Sequence, residues 1–172
     1  MASGDTLLII NPNNATPPAS LAGRLDTIAG GSTPAETIPC IAFATDSSEY
    51  MDFCNLVMPV NYAGGGITVV LAYSMASATS GGVRLELAFR RINDDAEVQT
   101  AAHSYDYNGV TDTVPSAAGE VSYPVITFTD GADIDSLAVG ELFHLRYYRD
   151  HDNVGDDAAG DQLLQSIHIK ET

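Results

Sequence analysis

Apolar and polar residues alternate with a period of two along most of the chain after Thr37. Residues 67–75 place Ile, Val, Leu, Tyr and Met on one face, and residues 83–89 repeat this pattern with Val, Leu, Leu and Phe. Alternation of this kind indicates a β-strand with one buried face. The same criterion predicts strands at 37–45, 51–59, 98–107, 121–129, 143–148 and 163–169.

Eight such strands, with turns rich in Gly, Asp and Asn and no long helical period, predict an all-β fold. Strands with one buried face each require a two-sheet antiparallel sandwich. The connections 59–66, 107–120 and 130–140 are too long for simple hairpins, which favours jelly-roll winding. Residues 133–138 are consistent with a single helical turn that ends at Gly140.

Two pairs of neighbouring strands are predicted to form hairpins. Residues 76–82 are a plausible hairpin connection between 67–75 and 83–89. A hairpin of 37–45 with 51–59, in the register that pairs Ile41 with Phe53, would place Cys40 opposite Cys54 within reach of a disulfide. The sequence does not fix that register, so we favour two reduced cysteines.

The first 36 residues differ from the rest because they are rich in Pro, Asn and Gly. Proline resists both a helix and a central strand, so this stretch predicts an extended N-terminal arm, followed by a sandwich of residues 37–172. The arm contains one strongly apolar segment, formed by Leu7, Leu8, Ile9 and Ile10. This segment must be buried, either on its own domain or on a neighbour, and we predict it as an interaction site.

The charge of the chain excludes several classes of partner. Its 172 residues include 23 acidic and 7 basic side chains, for a formal net charge of −16. Such a surface repels phosphate backbones and anionic lipid, so we expect neither nucleic acid nor a membrane as a partner. We see no apolar run that could span a bilayer and no secretion signal, and we therefore expect synthesis in the cytoplasm.

No residue set predicts catalysis or a cofactor. The segment 150–157 resembles the opening of a calcium loop, with Asp150, Asp152 and Asp156 as weak candidate ligands, but Val154 stands at a ligand position. A solvated acidic turn is the commoner interpretation. The eight tyrosines could line a sugar-binding groove, although the absence of Trp weakens that hypothesis and core or interface packing is the alternative.

Several stretches resemble a group of small jelly-roll virion proteins of tailed bacteriophages. The resemblance covers roughly residues 50–172 and rests on strand ends and turns, with no catalytic residues. Its motifs are MPVNYAGGGITV at 58–69, YSMASATSG at 73–81, AFRRI at 88–92, ITFTDGA at 126–132, DSLAVG at 135–140, AGDQLL at 159–164 and IKET at 169–172.

The resemblance implies a structural role in a virion. Some proteins of this kind decorate the capsid exterior as cement proteins, usually as trimers, and others form tail-fibre heads that bind the host surface. The N-terminal arm and the acidity favour capsid cement, with the major capsid protein and further copies of this chain as partners. A tail-fibre or receptor-binding module that recognises a host-surface glycan is the alternative.

Overall fold

Two antiparallel β-sheets make up the computed structural model, which describes residues 4–96 and 98–172. In chain order the strands are β1 (Thr6–Ile10), β2 (Arg24–Ala29), β3 (Thr37–Phe43), β4 (Glu49–Val57), β5 (Ile67–Met75), β6 (Gly82–Ile92), β7 (Asn108–Thr113), β8 (Val121–Ser122), β9 (Val125–Phe128), β10 (Leu142–Arg149) and β11 (Gln162–Glu171). Single 3-10 turns lie at Pro12–Asn14 and Ala132–Ile134.

One sheet has the strand order β2-β3-β11-β5-β8, with β1 added to β11 and β9 added to β5. The other has the order β4-β10-β6-β7. Alternate side chains of both sheets fill a shared core, as in β5, where Val69 and Leu71 are fully buried, and β10, where Phe143 and Leu145 are. The predicted all-β, two-sheet antiparallel sandwich of jelly-roll type is therefore confirmed.

Consecutive strands change sheet repeatedly, so both predicted hairpins are wrong. β3 and β5 lie in the seven-stranded sheet, whereas β4 and β6 lie in the four-stranded sheet. Cys40 on β3 and Cys54 on β4 consequently do not face each other across a ladder, and both are free thiols. The alternation of a strand reveals its buried face but not the sheet to which it belongs, which is why the partner was misassigned.

Two other predicted strands need correction. The strand predicted at 98–107 is wrong, because these residues have no strand structure and the next strand, β7, begins at Asn108. The segment 121–129 is split by Pro124, whose carbonyl accepts a hydrogen bond from the Leu71 N–H at 3.0 Å. The predicted helical turn near 133–138 is present as the short 3-10 turn at Ala132–Ile134.

The predicted N-terminal arm is, from residue 4 onward, part of the sandwich. β1 pairs with β11 and β2 pairs with β3. Between them, Thr16 donates its N–H to the carbonyl of Asp52 at 2.7 Å, and Leu21 accepts from the N–H of Tyr50 at 2.7 Å. The segment therefore supplies hydrogen-bond partners for backbone groups of β11 and β4 that would otherwise be unpaired.

The apolar segment at the start of the chain is divided between two environments. Leu7 and Ile10 are buried in the core of their own chain, and Leu8 packs partly against it. Ile9 points outward and is 64% exposed. The proposed attachment role of Leu7, Leu8, Ile9 and Ile10 stays a prediction, and in this fold Ile9 is the side chain available for it.

Candidate binding face

The outer face of the four-stranded sheet carries aligned aromatic and charged side chains. Alternation along β4 and β10 turns Tyr50, Asp52, Arg146 and Tyr148 away from the core. The antiparallel register places Arg146 opposite Asp52 and Tyr148 opposite Tyr50. Because directly opposed residues on one face of a sheet touch each other, two cross-strand pairs meet at this point.

Arg146 is held by a carboxylate and by two aromatic rings. Its Nε and Nη2 donate to the two carboxylate oxygens of Asp52 at 2.6 and 2.8 Å. Its guanidinium carbon lies 4.3 Å from the ring centre of Tyr105 and 5.6 Å from that of Tyr50. A two-pronged ion pair and a cation–π contact together fix the orientation of this side chain.

Four tyrosines form a continuous, partly exposed cluster around this arginine. Tyr50 and Tyr148 stack with ring centres 4.3 Å apart and an angle of 5° between their planes. Tyr107 lies 5.6 Å from Tyr148, and Tyr105 lies 5.9 Å from Tyr107. We use the term tyrosine face for Tyr50, Asp52, Tyr105, Tyr107, Arg146 and Tyr148.

The connection between β6 and β7 supplies Tyr105 and Tyr107 to this face. Nη2 of Arg90, on the outer side of β6, donates to the carbonyls of Val98 and Gln99 at 3.4 and 3.3 Å. Ala88, on the same outer side, is fully buried. The connection therefore lies across the outside of the sheet, and Ala88 is paired with Arg146, whose guanidinium contacts Tyr105 of the connection.

Three tyrosines of this face and its arginine keep one ionisation state near neutral pH. Burial raises the pKa of Tyr107 to about 12 and also raises the pKa values of Tyr105 and Tyr148. The hydrogen bonds that Arg146 donates to the Asp52 carboxylate raise the pKa of Arg146, so its guanidinium stays charged. The face therefore presents neutral hydroxyl groups and aromatic rings around an ion pair that carries no net charge.

The outer side of the same sheet holds two further arginines, and both have partners. Arg84 pairs with Glu86 at 2.9 Å, beside Gly109 on β7. A Cβ at Gly109 would lie 2.7 Å from Cγ of Glu86, so glycine gives this pair the space it needs. Arg84, Arg90 and Arg146 are three of the seven basic residues of this acidic chain, and all three lie on this side of the sandwich.

The weak calcium candidates do not form a site, because Asp156 has another role. Asp156 is buried and receives two hydrogen bonds from Arg149, at 2.7 and 3.0 Å, and one from the Arg84 N–H at 3.0 Å. Asp150 accepts a hydrogen bond from the Tyr148 hydroxyl, and Asp152 accepts one from Ser48. Across residues 4–96 and 98–172, no group of three or more His, Cys, Asp or Glu side chains is placed to hold a metal ion.

Sequence reasoning pointed to the tyrosines as a class but could not select four of the eight. Tyr73 and Tyr147 point into the core and are fully buried, whereas Tyr123 is 65% exposed on the other sheet. The sequence feature that could have selected two of the four is the alternation in β4 and β10. In each of these strands a tyrosine, Tyr50 or Tyr148, occupies a position that the alternation turns away from the core. In the part of the chain that is described, no helix is long and apolar enough to cross a membrane.

Several solved structures share this fold at low sequence identity, although no family model and no curated protein matches the chain. One is the CBM22-1 xylan-binding domain of Paenibacillus barcinonensis Xyn10C, with 13% identity, a TM-score of 0.54, and coverage of 99% of this chain and 97% of that one. Another is CsCBM6-3 of Clostridium stercorarium in complex with cellobiose, with 8% identity, a TM-score of 0.51, and coverage of 99% and 98%.

A third similar structure is longer than this chain. It contains the CBM22-1 and GH10 modules of Clostridium thermocellum Xyn10B complexed with xylohexaose, with 10% identity and a TM-score of 0.52. The match covers 100% of this chain and 29% of that one. At these identities the likeness establishes the jelly-roll sandwich and nothing about the residues of the site.

Proposed function

We propose that this chain is a non-catalytic module that binds an uncharged oligosaccharide on the tyrosine face. The observation that carries the proposal is the arrangement on β4 and β10, where stacked Tyr50 and Tyr148 adjoin the Arg146–Asp52 ion pair. Binding sites combine apolar or aromatic surface with a few fixed polar groups that orient the ligand. The tyrosine face has both components on rigid strands.

The chemistry of the face suits a sugar. The C–H-rich side of a pyranose ring is apolar and packs against an aromatic ring, while the hydroxyl groups around its rim need hydrogen-bond partners. Tyr107 and Tyr148 offer partly exposed rings, and Arg146 and Asp52 offer donors and acceptors whose positions are already fixed. Little conformational entropy is lost when such a preorganised surface binds a ligand.

The charge balance favours an uncharged ligand over an acidic one. Arg146 is neutralised by Asp52, and Arg84 is neutralised by Glu86. The net charge of −16 repels polyanions at longer range. Neutral sugars, which bind through stacking and hydrogen bonds, are unaffected by that field.

Structures of similar fold support this proposal, because one is a xylan-binding domain and two others are complexes with xylohexaose and with cellobiose. Of the two roles implied by the phage resemblance, recognition of a host-surface glycan is the one that this face supports.

The capsid-cement role on the virion exterior stays a prediction, and the fold changes how it must be tested. Deletion of residues 1–20 would remove β1 and Thr16, which pairs with β4, so the truncated chain would lose part of its sandwich. A single substitution of Ile9, whose side chain points outward, avoids the loss of part of the sandwich. Addition of that variant to capsids is then informative, because the core residues Leu7 and Ile10 are kept.

The test of the proposed function is a binding series with matched variants. The panel contains xylohexaose, cellohexaose, laminarihexaose and an acidic galacturonate hexamer, measured by calorimetry. We expect at least one neutral hexamer to bind, and Tyr148→Ala to weaken it tenfold or more, which is about 1.4 kcal/mol. Tyr123→Ala is the control, because this exposed tyrosine lies on the other sheet.

The proposal fails on any of three results. The first is that no neutral hexamer binds more tightly than about 1 mM. The second is preference for the galacturonate hexamer over every neutral one. The third is equal affinity of Tyr148→Ala and the unmodified chain, or a loss of affinity in Tyr123→Ala instead. Circular dichroism of each variant separates loss of binding from loss of fold.

A further inference from the structure

The outer face of the seven-stranded sheet lies on the side of the sandwich opposite the tyrosine face, and its chemistry differs from that of the rest of the chain. Pairing aligns Ile9, His168, Val70 and Val125 in one row across β1, β11, β5 and β9. Ile9 is 64% exposed and Val125 is 47% exposed. A mainly apolar row, interrupted by His168, therefore crosses the solvent-facing side of the sheet, and we call it the apolar row.

Five strands of this sheet, β1, β5, β8, β9 and β11, carry no acidic side chain at their outward positions, although the chain has 23 acidic residues and Asp26 lies on the outer side of β2 in the same sheet. The outward positions of β1, β5, β8, β9 and β11 are occupied by aliphatic, small or hydroxyl-bearing residues, with Gln165, His168 and Lys170 as the larger polar side chains and Tyr123 between β8 and β9. We use the term carboxylate-free face for the outward side chains of these five strands. Its composition shows that the negative charge is concentrated elsewhere on the surface.

The absence of carboxylates indicates the kind of partner that fits. A basic partner would be attracted to the acidic remainder of the surface and would gain nothing from this face. A partner that is itself acidic can approach closely only where no carboxylates oppose its own. A second copy of this chain, with its formal charge of −16, meets that condition when the two carboxylate-free faces meet.

The size of the face is sufficient for specific but moderate association. It is four strands wide, and β11 runs along it for 10 residues. With strands about 4.8 Å apart and a rise of about 3.3 Å per residue, the footprint is at most about 630 Å² per copy. The total of at most about 1,270 Å² lies at the low end of the sizes found for specific interfaces, which predicts a dimer that dissociates on dilution.

We propose that two copies of this chain associate through their carboxylate-free faces to form a twofold-symmetric dimer. Sheet-on-sheet packing of identical apolar rows is self-complementary, as a twofold contact requires. The two tyrosine faces then point away from each other on the outside of the dimer. This inference does not depend on the saccharide proposal, because it concerns the opposite side of the sandwich.

Sedimentation equilibrium of the full chain over a range of concentrations tests this dimer. Val125→Asp places a carboxylate in the apolar row, and Val60→Asp adds the same charge at a site that is 92% exposed in the connection between β4 and β5. We expect Val125→Asp to weaken dimerisation at least tenfold and Val60→Asp to change it less than twofold. Added salt should strengthen the dimer, because it screens repulsion between the acidic remainders of the two copies.

Four outcomes overturn the inference. They are a chain that is monomeric at every concentration, a trimer, equal effects of Val125→Asp and Val60→Asp, and a dimer that salt weakens. Thermal unfolding of both variants checks that the sandwich is intact. Saccharide affinity is measured separately on the same samples, so failure of the dimer and failure of the tyrosine face are distinguishable.

Discussion

At the scale of single residues, the most constrained side chain is Arg149 at the end of β10. It is fully buried and donates to Asp156 and to the carbonyls of Phe43, Ala158 and Gly160, at 2.7–3.2 Å. A buried guanidinium is tolerated only when its donors are satisfied, and here one carboxylate and three carbonyls do so. Sequence reasoning interpreted Asp156 as part of a solvated turn, because nothing in the local pattern reveals that Arg149 points inward.

The Arg149–Asp156 pair makes a prediction for stability. Asp156→Asn leaves the charge of Arg149 buried and uncompensated, so we expect a loss of about 3–5 kcal/mol in the free energy of unfolding. Asp152→Asn, on the same loop but exposed, is the control and should change the free energy by less than about 0.5 kcal/mol. Urea unfolding measures both. Equal stability of the two variants would contradict the structural role assigned to Asp156.

At the scale of elements, burial patterns predicted where most strands lie but not how they pair. The stretch 98–107 illustrates the limit, because His103, Tyr105 and Tyr107 alternate as they would in a strand. These rings instead contact one another and Arg146 outside the sheet. The composition of the first 36 residues, rich in proline and asparagine, likewise predicted an arm. In the structure this segment forms backbone hydrogen bonds with β11 and β4 and is therefore part of the sandwich.

The connection between β6 and β7, which carries Tyr105 and Tyr107, leads to a second prediction. Ala88→Leu inserts a larger side chain beneath it, so we expect a loss of about 1–3 kcal/mol and displacement of Tyr105 from Arg146. Hydrogen exchange of the peptide spanning 98–107 should then accelerate. Ala29→Leu, at an exposed end of β2, is the control and should leave that exchange unchanged. Unaltered exchange in Ala88→Leu would show that the segment does not rest on Ala88.

At the scale of the whole molecule, the sandwich separates two chemically different surfaces. One side presents the tyrosine face with its internally neutralised ion pairs, and the opposite side presents the carboxylate-free face. The fold class was predictable from the sequence because it depends on the sum of many alternating positions. The site was not, because it depends on which outward residues become neighbours, and register across β4 and β10 decides that.

The most direct test of the account is the location of a bound saccharide. Backbone NMR shifts are recorded while the neutral hexamer of highest affinity is titrated into the isotope-labelled chain. We predict that the largest changes fall on β4, β10 and residues 105–107, around Tyr50, Arg146 and Tyr148. Changes confined to the seven-stranded sheet, or to the loops around Tyr62 and Val139, would contradict the assignment of the tyrosine face as the binding site.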